Sequence, residues 1–404
     1  MNFSRVWKVF CRNTPALIGL VVFLLLCLLA LFAPILSPDR TINASRQVSE
    51  AIRVPPGVKG KFLRVANAQD LESSLLKRIF LGEELSHKWL LMDSNAAVNI
   101  SIDTIQVQLV AGDSRTFLMP ILLFHPDESE PFNQFCLEHF SKPYYLNKSK
   151  CIWQQEGKFR SVTLDDMATT IYSENVPSFT WWMGSDGYGR DVFSRMLKGS
   201  RVSIGVGLAA LLLSLIVGIP LGILAGYFGG ITDRFIQGFI SIIWSLPSLL
   251  LAMVLSFVLG KGFWQVFLAV GLTLWVDVAR MVRGSVLSIK ESSFIEAAKA
   301  LGYSTPRILW VHVLPNLAGP VILVSTSCFA TAILIESGLS FLGIGIQAPM
   351  PSWGNMLQEG YTQIVLSGGQ WLAIFPGLAI ICIVVSLNLI GYGLRDALDP
   401  KEKE

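Results

Sequence analysis

Glu296–Pro315 reads EAAKALGYSTPRILWVHVLP, a polar, helix-prone segment set between two apolar stretches. Alanines at 297 and 298 let another surface approach closely. Gly302, four residues after Ala298, permits the sharp exit that ends a short helix. Leu314 and Pro315 follow twelve and thirteen residues after that glycine, and proline is favoured where a new helix begins. An alanine-rich helix between two apolar runs is expected to receive another protein. An isolated Glu-Ala-Ala triplet would read only as an amphipathic connector; the spacing of the whole segment argues for docking.

Working outward, the chain has membrane-protein composition. Of its 404 residues 52% are hydrophobic and 15% charged, with a mean hydropathy of +0.54, where a soluble domain carries about 25% charged residues. The net charge of +3 and the lack of a basic block interleaved with aromatics give no reason to invoke nucleic acid. Six apolar runs approach or exceed the roughly 20 residues that cross a bilayer as a helix: Ala16–Leu36, Val202–Gly226, Phe235–Gly260, Gly262–Ala279, Leu317–Gly338 and Trp371–Leu394. Pro247 is expected to kink the third. With the N-terminus inside, Arg5, Lys8, Arg12, Arg234, Arg280, Arg283, Lys290, Lys299, Arg307, Arg395, Lys401 and Lys403 face the cytoplasm. Only Arg201 and Lys261 then lie outside, apart from the charged insert, so the positive-inside rule places both termini in the cytoplasm. The first run exceeds a signal-peptide core of about 7–15 residues, and reads as a retained anchor.

Residues 37–200 differ from the rest. They hold 18 of the 32 Lys+Arg and 19 of the 29 Asp+Glu, and the topology puts them outside. Val98–Gly112 alternates apolar and polar residues as a half-buried strand does. Thr116–Phe124 is a second strand candidate, weakened by Pro120, and Leu71–Leu85 has helical spacing. A small α+β domain is expected. Its two cysteines, Cys136 and Cys151, fit a disulfide in an oxidising exterior and equally fit two buried thiols. A zinc site on Cys136, His139 and Cys151 would need a fourth ligand and paired spacing, so no metal site is assigned.

The Glu296–Pro315 segment resembles the cytoplasmic EAA loop of bacterial ABC-importer permeases. Three further segments extend the resemblance: MGSDGYGRDVFSRMLKGSRVSIGVGL (Met183–Leu208), GLSFLGIGIQAPMPSWGNML (Gly338–Leu357) and NLIGYGLRDALDP (Asn388–Pro400). They are similar to the C-type permease subunits of dipeptide, oligopeptide and nickel importers. His312 and the following Leu314–Asn316 match the peptide-transport branch, whereas Tyr392 stands where that branch usually has an acid. The insert is also far longer than the family's usual first external loop.

The resemblance implies an all-α membrane bundle of six transmembrane helices, the ABC-importer permease fold, with an extracytoplasmic α+β domain inserted between helices 1 and 2. The domains are then 1–36 (N-terminus and first helix), 37–182 (insert) and 183–404 (permease core). It implies that Phe294, Ile295, Glu296, Ala297, Ala298, Gly302, Leu314 and Pro315 couple the chain to an ATPase, with Glu296 offering a carboxylate to an arginine or backbone amide. Glu336 is expected either to tie down the loop that follows it or to meet a peptide's amino terminus in the pore. Pro349, Pro351 and Trp353 read as gate, as binding-protein dock, or as a plain rigid loop. Asp277 is expected to pair with Arg280 at i,i+3.

No G-x-x-x-x-G-K-[ST] phosphate loop occurs, and Gly260-Lys261-Gly262 does not qualify. The four histidines (His87, His125, His139, His312) are not clustered, and no Ser/His/Asp or HExxH arrangement is visible. The chain is therefore expected to bind no cofactor and to catalyse nothing, leaving ATP and Mg to separate subunits. The implied partners are a homologous second permease, two ABC ATPase subunits, a substrate-binding protein, a di- or oligopeptide, and the bilayer of a bacterial inner membrane. Nickel or another small solute is the alternative cargo. A membrane-anchored enzyme using the insert, and a sensor whose spans merely anchor, are weaker alternatives; neither explains the EAA spacing.

Overall fold

A computed structural model describes residues 3–66, 87–92, 99–100, 104–109, 114–124, 130–147, 150–155, 157–170, 176, 178–367 and 369–398. Within these the chain forms two compact units, one of residues 1–37 and 194–404, the other of residues 38–193.

The first unit is helical. Helix α1 (Phe3–Arg12) leads to α2 (Thr14–Leu31), which Asn13 caps by accepting the Ala16 N–H at 3.1 Å. Pro15 occupies the first turn, where a missing N–H costs nothing. The apolar run continues past Phe32 as the short α3 (Ala33–Leu36). Five helices of this unit are long and apolar enough to span a bilayer, including α2. The others are named below with the elements that join them.

The second unit is α+β. Strands β1 (Val58–Ala66), β2 (His87–Met92), β3 (Asn99–Ile100), β4 (Thr104–Gln108) and β5 (Ser114–Leu118) precede helices α4 (Met119–Phe124) and α5 (Pro131–Phe140). Strands β6 (Tyr145–Asn147), β7 (Lys150–Gln155) and β8 (Lys158–Thr163), helix α6 (Leu164–Thr170) and strand β9 (Ser178–Trp181) complete it. Three antiparallel sheets result, ordered β2-β1-β9, β3-β4-β5 and β6-β7-β8.

The first sheet is covered on both faces. Phe62 and Leu91 pack with Val48, Ala51 and Trp181, while their neighbours Leu63 and Leu90 pack with Ile105, Val107 and Met119. Successive side chains point to opposite faces, so burying both requires consecutive apolar residues. Strand β4 keeps the expected alternation: Ile105 and Val107 are buried while Gln106 and Gln108 are exposed. The rest of the Val98–Gly112 expectation is only partly within the described residues, and Leu71–Leu85 lies outside them. Thr116–Phe124 is corrected. The strand ends at Leu118, and Met119–Phe124 is helical, with Pro120 in the first turn where it is tolerated.

The helical unit resumes with α7 (Val192–Phe228), about ten residues longer at its start than the apolar run implied. Arg195 and Lys198 are nonetheless buried there; Arg195 makes a bidentate pair with Glu359 at 2.5 and 3.1 Å. Next come α8 (Gly230–Trp244) and α9 (Ser248–Leu259), bent 90° at Ser245–Pro247, so the expected kink is a sharp break. Read as one broken span, this pair brings the count among the described residues to six. Helix α10 (Phe263–Lys290) runs eleven residues beyond Ala279. It is followed by α11 (Ser293–Ala300), α12 (Thr305–Ile308), a π-helical segment (Leu309–Val313), α13 (Leu314–Asn316), α14 (Ala318–Phe341), α15 (Trp353–Ser367) and α16 (Trp371–Leu398).

Small residues set the close helix contacts, as they do in membrane bundles. Gly218, Gly222 and Gly226 recur every fourth residue on α7. A Cβ on each would meet α10 at 2.7, 2.6 and 2.8 Å, against the backbone and Val278, Val282 and Val286. Gly393 of α16 lies against Ala16 of α2 in the same manner.

Candidate functional site

Helix α11 is short and well terminated. Its last turn closes with Gly302 N–H donating to Lys299 O at 2.9 Å and Tyr303 N–H to Ala298 O at 3.1 Å, the paired bonds of a Schellman motif. Gly302 supplies the left-handed residue this needs, at φ +76°. No atom lies within 4 Å of a Cβ built there, so the demand is conformational rather than steric.

The helix has two faces. Ile295 and Ala298, one turn apart, are buried in a cluster with Val286, Ile308, Val313 and Leu317. Phe294, Glu296 and Ala297 are exposed. Ile295 and Ala298 are therefore anchors within this chain and do not present the docking surface expected of them; at i and i+3 they share the inward face. Three exposed residues that sequence reasoning passed over are Leu301 and Trp310, each 71% exposed, and Val311. The available signal was their position off the row formed by Ile308, Val313 and Leu317.

The anchor extends into the spans. Lys290 Nζ donates to Tyr227 O at 2.7 Å, meeting a carbonyl at the end of α7, and Lys299 lies 5.9 Å from the Tyr227 ring. His312 stacks on Tyr303 at 6.1 Å, and Arg307 covers the other ring partner at 4.3 Å. Leu314 is half-buried and Pro315 exposed. Pro315 has no N–H for the carbonyl of Val311, and the chain is widened into the π segment just before it. Pro315 thus sits inside a nearly continuous helical run instead of opening an independent helix.

Glu336 has a different setting. Its side chain is fully buried. Ser340 Oγ donates to its Oε1 at 2.8 Å, and Ser203, Ser337 and Ser352 surround the carboxylate. Three of these hydroxyls also hold backbone: Ser340 Oγ accepts Ile346 N–H, Ser203 Oγ accepts Trp353 N–H, and Ser352 Oγ accepts Asn355 N–H. The carboxylate and these serines thus lie where the two ends of the loop Gly343–Ser352 meet, with Ser340 bonded directly to it. Trp353 is 1% exposed and donates its indole N–H to Met196 O at 3.1 Å. Pro351 is buried as well, and of the expected gate residues only Pro349 reaches the surface. The loop is short, and serine-bound carboxylate and indole draw it inward.

Asp277 accepts a hydrogen bond from Trp244. Arg280 lies flat over that indole at 3.8 Å and stays within electrostatic reach of Asp277, so the expected pairing is present without a direct ion pair. Arg283 holds Asp233 with two bonds of 2.6 and 2.7 Å.

In the α+β unit, the Met183–Leu208 motif begins as a tight loop. Asp186 Oδ1 accepts Tyr188 and Arg190 N–H, and its Oδ2 takes Arg190 Nε at 2.6 Å. Gly189, at φ +71°, leaves no room for a Cβ, which would lie 1.9 Å from Val48 O. Cys136 and Cys151 are buried thiols and form no cystine. The link between α5 and β7 is made by amides instead: Asn133 exchanges two hydrogen bonds with the Gln154 backbone at 2.6 and 2.7 Å. Burial raises the Cys136 thiol above its ordinary range. His139 stacks on Phe135, and no metal-binding group of His, Cys, Asp or Glu occurs among the described residues.

Residues 218–404 match the family model of the binding-protein-dependent transport system inner membrane component, and residues 2–56 match the N-terminal TM domain of oligopeptide transport permease C. Residues 57–217 lie outside both. The oligopeptide transport system permease protein OppC of Bacillus subtilis is 40% identical over 58% of this chain and 77% of its own length. The dipeptide transport system permease protein DppC of Alkalihalophilus pseudofirmus is 42% identical over 56% and 74%. The glutathione transport system permease protein GsiD of Salmonella typhimurium is 44% identical over 57% and 75%.

Proposed function

The chain belongs to the binding-protein-dependent transport system inner membrane components, and we propose on that basis that it imports short peptides. It is a multi-pass permease subunit whose ATP is hydrolysed elsewhere. Relatives named for oligopeptide, dipeptide and glutathione transport support a peptide cargo. A binding protein would deliver the peptide, and a homologous permease would complete the pore.

The observation that carries the coupling step is the two-faced helix α11. Ile295 and Ala298 lock it to the bundle, while Glu296, Ala297 and Leu301 are exposed and Phe294 is half-exposed beside His312. An ATPase gripping that face would move α11 and α10 together, because Val286 and Tyr227 lie in the same cluster as Ile295. Rocking of this rigid piece would alternate access to the pore. Twelve basic residues against two support an orientation with α11 and both termini in the cytoplasm, and the α+β unit outside.

The test is uptake of labelled peptide by vesicles carrying the complete importer. Glu296→Arg is expected to abolish uptake and ATPase co-purification while the chain still inserts. Retained uptake with normal ATPase binding refutes the coupling role. Labelling of Lys299→Cys by an impermeant thiol reagent only in inverted vesicles is the expected sign of orientation. Deleting residues 38–182 is expected to impair uptake and spare ATPase association.

A further inference from the structure

A cavity of about 470 Å³ opens between α8 and α10, lined by Gln237, Asp277, Arg280, Met281 and Arg283. That volume is in the range of small-molecule sites, roughly 300–1,000 Å³. Four of the five lining residues are polar, and Arg280 and Arg283 belong to the basic flank that orients this end of α10 toward the cytoplasm.

The groups differ in how they are satisfied. Arg283 is neutralised by its bidentate bond to Asp233. Arg280 has no direct ion pair among the described residues: it lies within electrostatic reach of Asp277 and its guanidinium stacks on Trp244, which occupies the flat face and leaves the in-plane N–H fork for a planar oxyanion. The Gln237 Nε2 amide is sealed from solvent and has no acceptor among the described residues. A buried amide without a partner is costly, and a ligand oxygen would relieve it. Asp277 adds one carboxylate on the same wall, held by the Trp244 N–H.

We propose that this cavity is a transit site for the free carboxylate of a short peptide, received by Arg280 and Gln237. Asp277 supplies the opposite charge for an ammonium group of the same zwitterion. The inference rests on the peptide-import reading. Of the two sources of an oxyanion here, a lipid phosphate and a peptide terminus, the paired acid and base favour the zwitterion.

The test uses the complete importer in vesicles, with trialanine and trialanine amide as probes. The binding protein is common to all variants, so a changed preference between the two probes reports on this chain. Arg280→Gln and Gln237→Leu are each expected to raise the KM for trialanine, by at least about tenfold for the arginine, and to leave the amide unaffected. Arg280→Lys should retain part of the preference, and Met281→Trp, which fills the cavity, should slow both probes. A wild-type preference unchanged in Arg280→Gln, together with undiminished uptake of both probes by Met281→Trp, overturns the site alone. A defect that disappears in vesicles without anionic lipid, whatever the peptide terminus, also overturns it and assigns the arginine to a lipid phosphate. Wild-type importer that takes up no peptide overturns the cargo reading itself.

Discussion

Helix α11 and the loop Gly343–Ser352 both leave a spanning helix, and each turns on a glycine at φ +76°. They then present opposite sides of themselves. The first buries two apolar anchors and leaves Phe294, Glu296, Leu301 and Trp310 uncovered; the second buries Ile344, Ile346, Pro351 and the Trp353 that follows it, and exposes only its tip at Gln347–Pro349. The difference comes from what each loop finds in its own chain. Around Gly343–Ser352 a buried carboxylate and three serines satisfy the backbone. Around α11, among the described residues, Glu296, Leu301 and Trp310 stay exposed and Phe294 is half-exposed beside His312, which fits the proposed docking of an ATPase there.

Substitutions can break this contrast. The largest effect is expected for Trp353→Ala, which should cost about 3–5 kcal/mol as a truncation at a fully buried aromatic site, seen as a lower Tm of the purified chain. Glu336→Ala should cost about 1–3 kcal/mol by stranding the serines, and Glu336→Gln less, because the amide oxygen still accepts from Ser340. A loss for Gln equal to that for Ala would show that the charge rather than hydrogen bonding holds the loop. Gly302→Val should cost about 1–2 kcal/mol, for forcing a branched residue into the left-handed region, and should weaken ATPase co-purification. Smallest in stability is Leu301→Ala, expected to change the unfolding free energy by no more than about 0.5 kcal/mol, seen as a nearly unchanged Tm. It should nonetheless reduce coupled transport. If Leu301→Ala changes neither, the exposed face of α11 is not where the ATPase sits.

Much of the helical unit was legible in order and type, because apolar runs of span length and a proline at 247 are local signals. The reading was poorer where burial depends on neighbours. Ile295 and Phe294 are adjacent apolar residues, and nothing local says which one turns inward. Likewise, the glycines at 218, 222 and 226 acquire a meaning only from the valines of α10 opposite them. In the α+β unit the alternation of β4 was correct because one face is wet. Met119–Phe124 was misread because its apolar run has no strict period, and a proline fits either a strand edge or a first helical turn.

The sequence by itself determined that this is a multi-span permease with an exposed, glycine-terminated helix between two spans, since hydropathy, φ preference and motif spacing are properties of short segments. Only the tertiary structure decided which side chains of that helix are anchors, that Glu336 serves a loop, and that Gln237, Asp277 and Arg280 share a cavity. Those outcomes depend on which distant residues are packed against each other, and that information is absent from any local window.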